Sequence, residues 1–173
     1  MASWNEILDR FGHMPSQYDL VRREYLKQLS DYTGRNTILY YSAWLQKSLM
    51  ANGTFDFGIN DNDKTGFMTC IYQLDKTKGL DLILHTPGGD ISATESLVVY
   101  LQSIFGKDIR VIIPQMAMSA GTMISCSAKE IIMGKHSNLG PIDPQYCMYR
   151  AHGIIEEFEN IKHENEVNPL GTQ

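Results

Sequence analysis

Two short runs of this chain carry the residue types from which an acyl-transfer site is built. The first is His85-Thr86-Pro87-Gly88-Gly89-Asp90. Two consecutive glycines admit a backbone that a β-carbon forbids, and they leave peptide N–H groups bare for an anion. The second is Ala117-Met118-Ser119-Ala120-Gly121-Thr122, which sets a serine at a helix start among small neighbours. The helix dipole and the free first-turn N–H groups favour negative charge beside that serine oxygen. A hydroxyl next to two N–H donors from different turns is the arrangement acyl transfer needs. Taken singly, Pro-Gly-Gly is an ordinary tight turn and Ser119 an ordinary helix cap. Their pairing, 30 residues apart from Gly89 to Ser119 and each after an apolar strand, points to a functional pocket.

The elements that must position these runs follow from the apolar pattern. Gln17 to Tyr32 reads as an amphipathic helix with Leu20, Val21, Tyr25, Leu26 and Leu29 on one side. Asn36 to Trp44 reads as a strand and Leu45 to Gly58 as a loop. Asn60 or Asp61 caps a helix to about Leu74. The acidic run Asn60-Asp61-Asn62-Asp63 lacks the spaced glutamate of a calcium loop, so a capped helix is the better reading. Leu80 to Thr86 is an apolar strand, Asp90 or Ser92 caps a helix to about Phe105, and Asp108 to Ile113 is the next strand. After a connection over Pro114 to Met118, Ser119 opens a further helix, and Glu130 to Met133 is a short strand. The Gly- and Pro-rich stretch GKHSNLGPIDPQ is a loop, and a last helix runs from about Gly153 to Asn165. Near-continuous apolar strands separated by helices imply a parallel sheet buried on both faces. In such sheets ligands bind at the C-terminal strand ends, where both runs lie.

Composition limits the class. The 173 residues are 43% hydrophobic and 20% charged, as in a soluble globular domain. The formal charge is −5, so no net positive field favours nucleic acid or anionic lipid. Three cysteines, Cys70, Cys126 and Cys147, without motif spacing argue against a disulfide framework and a zinc site. The start, MASWNEILDRFG, has neither a basic nor an apolar leader region. The longest apolar candidate, Ile109 to Ile124, is broken by Arg110, Pro114, Gln115 and Ser119, so no membrane insertion is expected. Cytoplasmic localisation is the expectation.

The stretches LDLILHTPGGDISATES and IIPQMAMSAGTMISCSAKEIIMGKHSNLGPIDPQ resemble the serine dehydrogenase proteinase family, within the Clp protease/crotonase superfamily. HTPGGD, AMSAGT and LGPIDPQ occur in the family's order, and the likeness is strongest from about Asn60 to Gln145. The resemblance implies an α/β fold, the ClpP/crotonase-like ββα superhelix, with a mostly parallel sheet and flanking helices. It implies one domain over 1–173, with 1–58 as an N-terminal helix and strand extension and 59–173 as the core. It also implies a chain truncated at its C-terminus relative to the family. Carried over by position, Ser119 matches the nucleophile, and the N–H groups of Gly89 and Ala120 match the oxyanion donors. Pro87, Gly88 and Gly89 match the turn that aligns substrate as an added strand, and Met118, flanking the site, is read as a further substrate-binding residue suited to apolar side chains.

The general base has two named candidates, Lys162 and His136, and a base outside these is the third alternative. Clp proteases place a histidine near the position where this chain reads Gly140-Pro141-Ile142-Asp143, and the nearest histidine is His136. His85 precedes the Pro-Gly-Gly turn, where strand alternation turns it toward the sheet rather than toward Ser119. The similar signal peptide peptidase A and archaeal stomatin-associated peptidases use a Ser-Lys dyad. Lys162 lies 43 residues past Ser119, on the last helix, four past Phe158 of an apolar stripe formed by Ile154, Ile155, Phe158 and Ile161. That stripe is expected to pack toward the sheet, with Lys162 flanking it. A lysine serves as base only when desolvation keeps it neutral near pH 7, and nearby Glu157, Glu159, Glu164 and Glu166 oppose that. Asp143 either orients a base or builds its Pro-rich turn. Cys126, seven past Ser119, is expected to be a packing residue.

The expectation is thus a serine endopeptidase of Ser-Lys or Ser-His type acting on protein or peptide substrates. It needs no cofactor and no metal. A homo-oligomer is expected, with exposed aromatics at Tyr146, Tyr149 and Phe158. No P-loop is present, so any ATP dependence requires a separate ATPase partner. The rival readings are a catalytically silent peptide-binding scaffold and a crotonase-like acyl-CoA enzyme.

Overall fold

The structure, a computed structural model, describes residues 17–47, 56–146 and 149–167. The chain divides into two compact units, residues 1–140 and 141–173.

The first unit opens with helix α1 (Gln17–Thr33), which ends at Gly34 in the left-handed region, φ 68°. Strand β1 (Asn36–Tyr41) follows, then a single helical turn, α2 (Trp44–Lys47). The strand is therefore shorter than expected, because Ala43 takes φ 56° and turns the chain before Trp44. The rest of the loop expected up to Gly58 lies mostly outside the described residues.

Helix α3 (Asp61–Ile71) begins where the sequence placed it. Asn60 accepts the Asn62 N–H at 2.9 Å, and Asp63 accepts the Asn60 N–H at 2.9 Å, a reciprocal cap. It stops three residues short of Leu74, and Asp75 caps a 3₁₀ turn at Lys76–Lys78.

Strand β2 (Leu80–His85), helix α4 (Ile91–Phe105) and strand β3 (Ile109–Ile113) form the centre. Strand β4 (Met116–Ala117), helix α5 (Ala120–Ser127), strand β5 (Glu130–Met133) and strand β6 (Asn138–Leu139) complete the unit.

The main sheet has the order β1-β2-β3-β5, and all three pairings are parallel. A second parallel pair, β4 with β6, lies beside it. These two-residue strands fall in segments read as connection and loop, too short for any period to mark them. The core packs Leu82, Leu84, Val111 and Ile113 of the sheet with Leu97, Leu101 and Phe105 of α4 and Ile124 of α5. Each such side chain contributes roughly 1.5–3 kcal/mol through burial. This is the mixed α/β architecture with a mostly parallel sheet and flanking helices that the resemblance implies.

Side chains alternate strictly along β2. Leu84 and Thr86 face α5, as shown by their approach to Gly121. Asp81 and His85 therefore face the other side. Asp81 is fully buried and grips two guanidiniums, Arg35 at 2.6 Å and Arg110 at 2.6 Å. Burial alone would raise the Asp81 carboxyl, but its hydrogen bonds to Arg110 and Arg35 hold it below the usual carboxylate range.

The second unit contains an antiparallel hairpin, β7 (Gln145–Tyr146) with β8 (Tyr149–Arg150), and helix α6 (Ala151–Val167). Asp143 accepts Arg150 Nε at 3.0 Å, which fixes the Pro-rich turn to the hairpin. Helix α6 buries none of its residues. Ile154, Ile155, Phe158 and Ile161 are all exposed, Phe158 at 72%, so the stripe expected to pack toward a sheet is a surface feature. Cys147 and the terminal NPLGTQ lie outside the described residues.

Candidate functional site

The two runs singled out by residue type meet at the C-terminal end of β2. Thr86 pairs with Ala117 in parallel: its N–H donates to Met116 O at 3.3 Å, and its carbonyl accepts the Met118 N–H at 3.0 Å. The strand leading into Ser119 is thereby laid along the strand leading into Pro87-Gly88-Gly89.

The glycines are required by contact. Gly88 has φ 115° and is buried. A β-carbon there would stand 2.9 Å from Ser119 Cβ and 3.1 Å from Met118 O. The same point lies 3.5 Å from Ala120 N. The Pro-Gly-Gly turn thus rests directly on the serine turn. Gly89 forms a parallel bridge with Ile59, and a β-carbon on it would run into the Ile59 backbone. Ile59 N–H donates to Gly88 O and Asp90 N–H donates to Ile59 O, each at 2.8 Å. These bonds use the groups flanking Gly89, so its own N–H points away from Ile59. Gly89 is solvent-exposed, Pro87 half-buried.

Ser119 is held in an unusual conformation, φ 48° and ψ −108°. It precedes α5 but makes no side-chain cap bond, so the ordinary capping role does not apply. Such backbone conformations cost on the order of 1–3 kcal/mol and persist where surrounding structure enforces them. Here the enforcing bonds are Gly121 N–H to Met118 O at 2.8 Å and Met123 N–H to Ser119 O at 3.1 Å. Ser119 is left half-exposed beside the first turn of α5, where N–H groups have no intrahelical acceptor. Ala120, which supplies one of them, is fully buried.

Met118 packs against Gly140, where any β-carbon would strike its sulfur. Thr122 Oγ1 donates to Gly140 O at 2.7 Å and lies 3.1 Å from Ala117 O, tying the end of β6 to that of β4.

The residues considered as base sit on three separate elements. His85 is 3% exposed, contacts Gln115 Oε1 through Nε2 at 3.2 Å and lies tilted against the Tyr41 ring, centroids 4.8 Å apart. It lies on the opposite sheet face from Thr86, as alternation implied. His136 is exposed and precedes β6, whose register pairs Asn138 with Met116 and Leu139 with Ala117. Continued backward, that register sets His136 level with Pro114, five residues before Ser119, so His136 stands at the wrong end of the strand pair. Lys162 is exposed on α6 and lines a shallow groove with Phe158, Ile161, Asn165 and Glu166. Cys126 is exposed and is not the packing residue expected, because α5 buries its side through Gly121, Thr122, Ile124 and Ser125 instead.

Among the described residues, no cluster of three or more His, Cys, Asp or Glu is arranged to hold a metal ion. No helix among them is long and apolar enough to cross a membrane.

Residues 12–169 match the family of ClpP-like SDH-type serine proteinases. The chain belongs to that family. An uncharacterized protein of Methanocaldococcus jannaschii is 35% identical over 145 residues, which is 83% of this chain and 49% of that protein. A second uncharacterized protein of the same archaeon is 46% identical over 79 residues, 46% of this chain and 27% of that one. A more distant relative there, whose name assigns it provisionally to the proteases, is 24% identical over 138 residues, 73% of this chain and 44% of its own length. The chain spans less than half the length of these curated relatives.

For this serine proteinase family member, two site features escaped the sequence reading. One is Ile59, a single bridging residue with no periodic neighbours. The other is the pair Thr86 and Gly121: a β-carbon at residue 121 would lie 2.6 Å from Thr86 Cγ2. A threonine two residues before a glycine is a known turn former, and that signal was available in HTPGG.

Proposed function

We propose that this chain is a serine endopeptidase that cleaves protein or peptide substrates through an acyl-enzyme on Ser119. The observation that carries the reading is the contact between the Gly88-Gly89 turn and a serine in a positive-φ conformation. Substrate lies along Pro87, Gly88 and Gly89, with the exposed Gly89 edge and Met118 as its nearest surfaces. Ser119 Oγ attacks the scissile carbonyl carbon and loses its proton to the base. The oxyanion is stabilised by the N–H groups of Gly89 and Ala120, a contribution of about 3–4 kcal/mol per donor in comparable sites. The base returns the proton to the departing amine; water then attacks the ester carbonyl, the same base takes the water's proton, and it passes that proton to Ser119 Oγ as the acid product leaves.

Lys162 is our assignment for that base, supported by its position on the helix that follows the Pro-rich turn. It requires that Lys162 be desolvated in the working state, since only a neutral amine accepts a proton. Helix α6 exposes Phe158, Ile155 and Ile161 beside it, and Tyr149 of β8 is also exposed. Apolar exposure of this kind favours a homo-oligomer in which the stripe is covered.

Incubation with casein, an unstructured protein, tests the activity. Wild-type protein should release peptides, and Ser119→Ala should release none while keeping its circular dichroism spectrum. Equal cleavage by both would overturn the reading.

A further inference from the structure

The peptide that carries the Gly89 N–H is held by its other end. Gly88 O accepts the Ile59 N–H at 2.8 Å and the Thr86 hydroxyl at 3.3 Å. A trans peptide is planar, and its C=O and N–H point in opposite directions. Whatever grips the Gly88 carbonyl therefore aims the Gly89 N–H. Thr86 Oγ1 also accepts the Gly88 N–H at 3.2 Å, so one hydroxyl holds both polar groups of Gly88 in its φ 115° conformation.

The same residue touches the other half of the site. Its backbone bonds Met116 O and Met118 N–H, fixing the strand that delivers Ser119 and Ala120. Its methyl group fills the space that a side chain at Gly121 would need, one residue past Ala120. Thr86 is fully buried. A threonine at a strand end that merely completed its own turn would have no contact with the serine-bearing helix.

We propose that Thr86 is a positioning residue that sets the Gly89 N–H in direction and register against Ser119 and Ala120. This rests on the hydrolase reading of Ser119. Thr86 never touches substrate. It acts on the transition state by keeping one oxyanion donor aimed.

The test compares three variants by the rate of covalent labelling with a fluorophosphonate probe and by kcat and KM on fluorescein-casein. Thr86→Val keeps the methyl contact and the backbone bonds but loses the hydroxyl. Its labelling rate and kcat should fall about 10- to 100-fold with KM unchanged, less than removing a donor outright, which costs about 100- to 1,000-fold. Thr86→Ser keeps the hydroxyl and should stay within about threefold of wild type on the same scale. Thr86→Ala differs from the serine variant by that hydroxyl alone and should fall with the valine variant. It supplies the same comparison if Thr86→Val does not fold. Folded Thr86→Val or Thr86→Ala labelling as fast as Thr86→Ser would overturn the positioning role while leaving Ser119 as nucleophile. Wild-type protein that takes no label would overturn the hydrolase reading and this inference with it.

Discussion

The turn that holds Ser119 and the helix that holds Lys162 are built in opposite ways. Around Ser119 the geometry is backbone on backbone: Gly88 against Ser119, Gly89 against Ile59, Thr86 against Ala117. Hardly any functional group there depends on a flexible side chain. Helix α6 has no buried residue, and Lys162 sits on it at the end of a four-carbon stem. The proposed nucleophile and its proposed oxyanion donors are thus set by the folded sheet edge. The proposed base, Lys162, depends on what comes to cover α6. Added side chains at the glycines of the first region should damage fold and function together, and changes at the second region should separate them.

The largest effect is expected at Gly89→Ala. Its β-carbon would run into the Ile59 backbone, which has no flexible end to move aside. Folded yield and labelling should both collapse, as measured by soluble expression and probe uptake. A stable, fully active Gly89→Ala protein would break the comparison on its backbone side.

Next comes Lys162→Ala. It should lose about a thousandfold or more in casein hydrolysis, as removal of a proton-transfer partner does. Its thermal midpoint should hold steady, since the residue buries nothing. Lys162→Arg should not restore activity, because a guanidinium stays protonated. Activity near wild type in Lys162→Ala would remove it from the mechanism.

A smaller effect concerns the opposite end of the sheet. Asp81 is held below the ordinary carboxylate range by Arg110 and Arg35. Its folded pKa is thus lower than its unfolded one, and the ionised pair stabilises the fold above the unfolded value of about 3.9. That stabilisation is lost as pH falls through the folded value. Urea midpoints measured from pH 6 downward should decline toward acid, and Asp81→Asn should flatten the decline. A wild-type acid limb identical to that of Asp81→Asn would contradict the assignment.

The smallest effect is expected at His136→Ala, which should retain activity within about threefold, since general acid–base partners contribute about 100-fold or more and His136 is not placed as one. Inactive His136→Ala alongside active Lys162→Ala would exchange the roles of the two residues.

The parts legible in the sequence were those with a period or a cap. LDLILH and IRVII read as buried strands, and Asn60 and Asp90 as helix caps, because local chemistry alone decides them. HTPGGD and AMSAGT were legible as turns, since Gly-Gly and Ser-Ala-Gly mark backbone that larger residues forbid. What stayed hidden depends on partners remote in sequence. Ile59 acts through one bridge to Gly89, and Gly121 is small because Thr86 lies against it. The stripe on α6 has a helical period, but a period reports which residues share a face and not whether that face is covered. Cys126 was misread for the same reason: spacing from Ser119 gave its face, and the short α5 turns that face outward.

The central claim, that the sheet edge makes Ser119 a nucleophile, is tested most directly by mapping a fluorophosphonate adduct by mass spectrometry. Wild-type protein should carry one adduct per chain, on the peptide containing Met118-Ser119-Ala120, and Ser119→Ala should carry none. An adduct on another residue, or equal labelling of Ser119→Ala, would contradict the account.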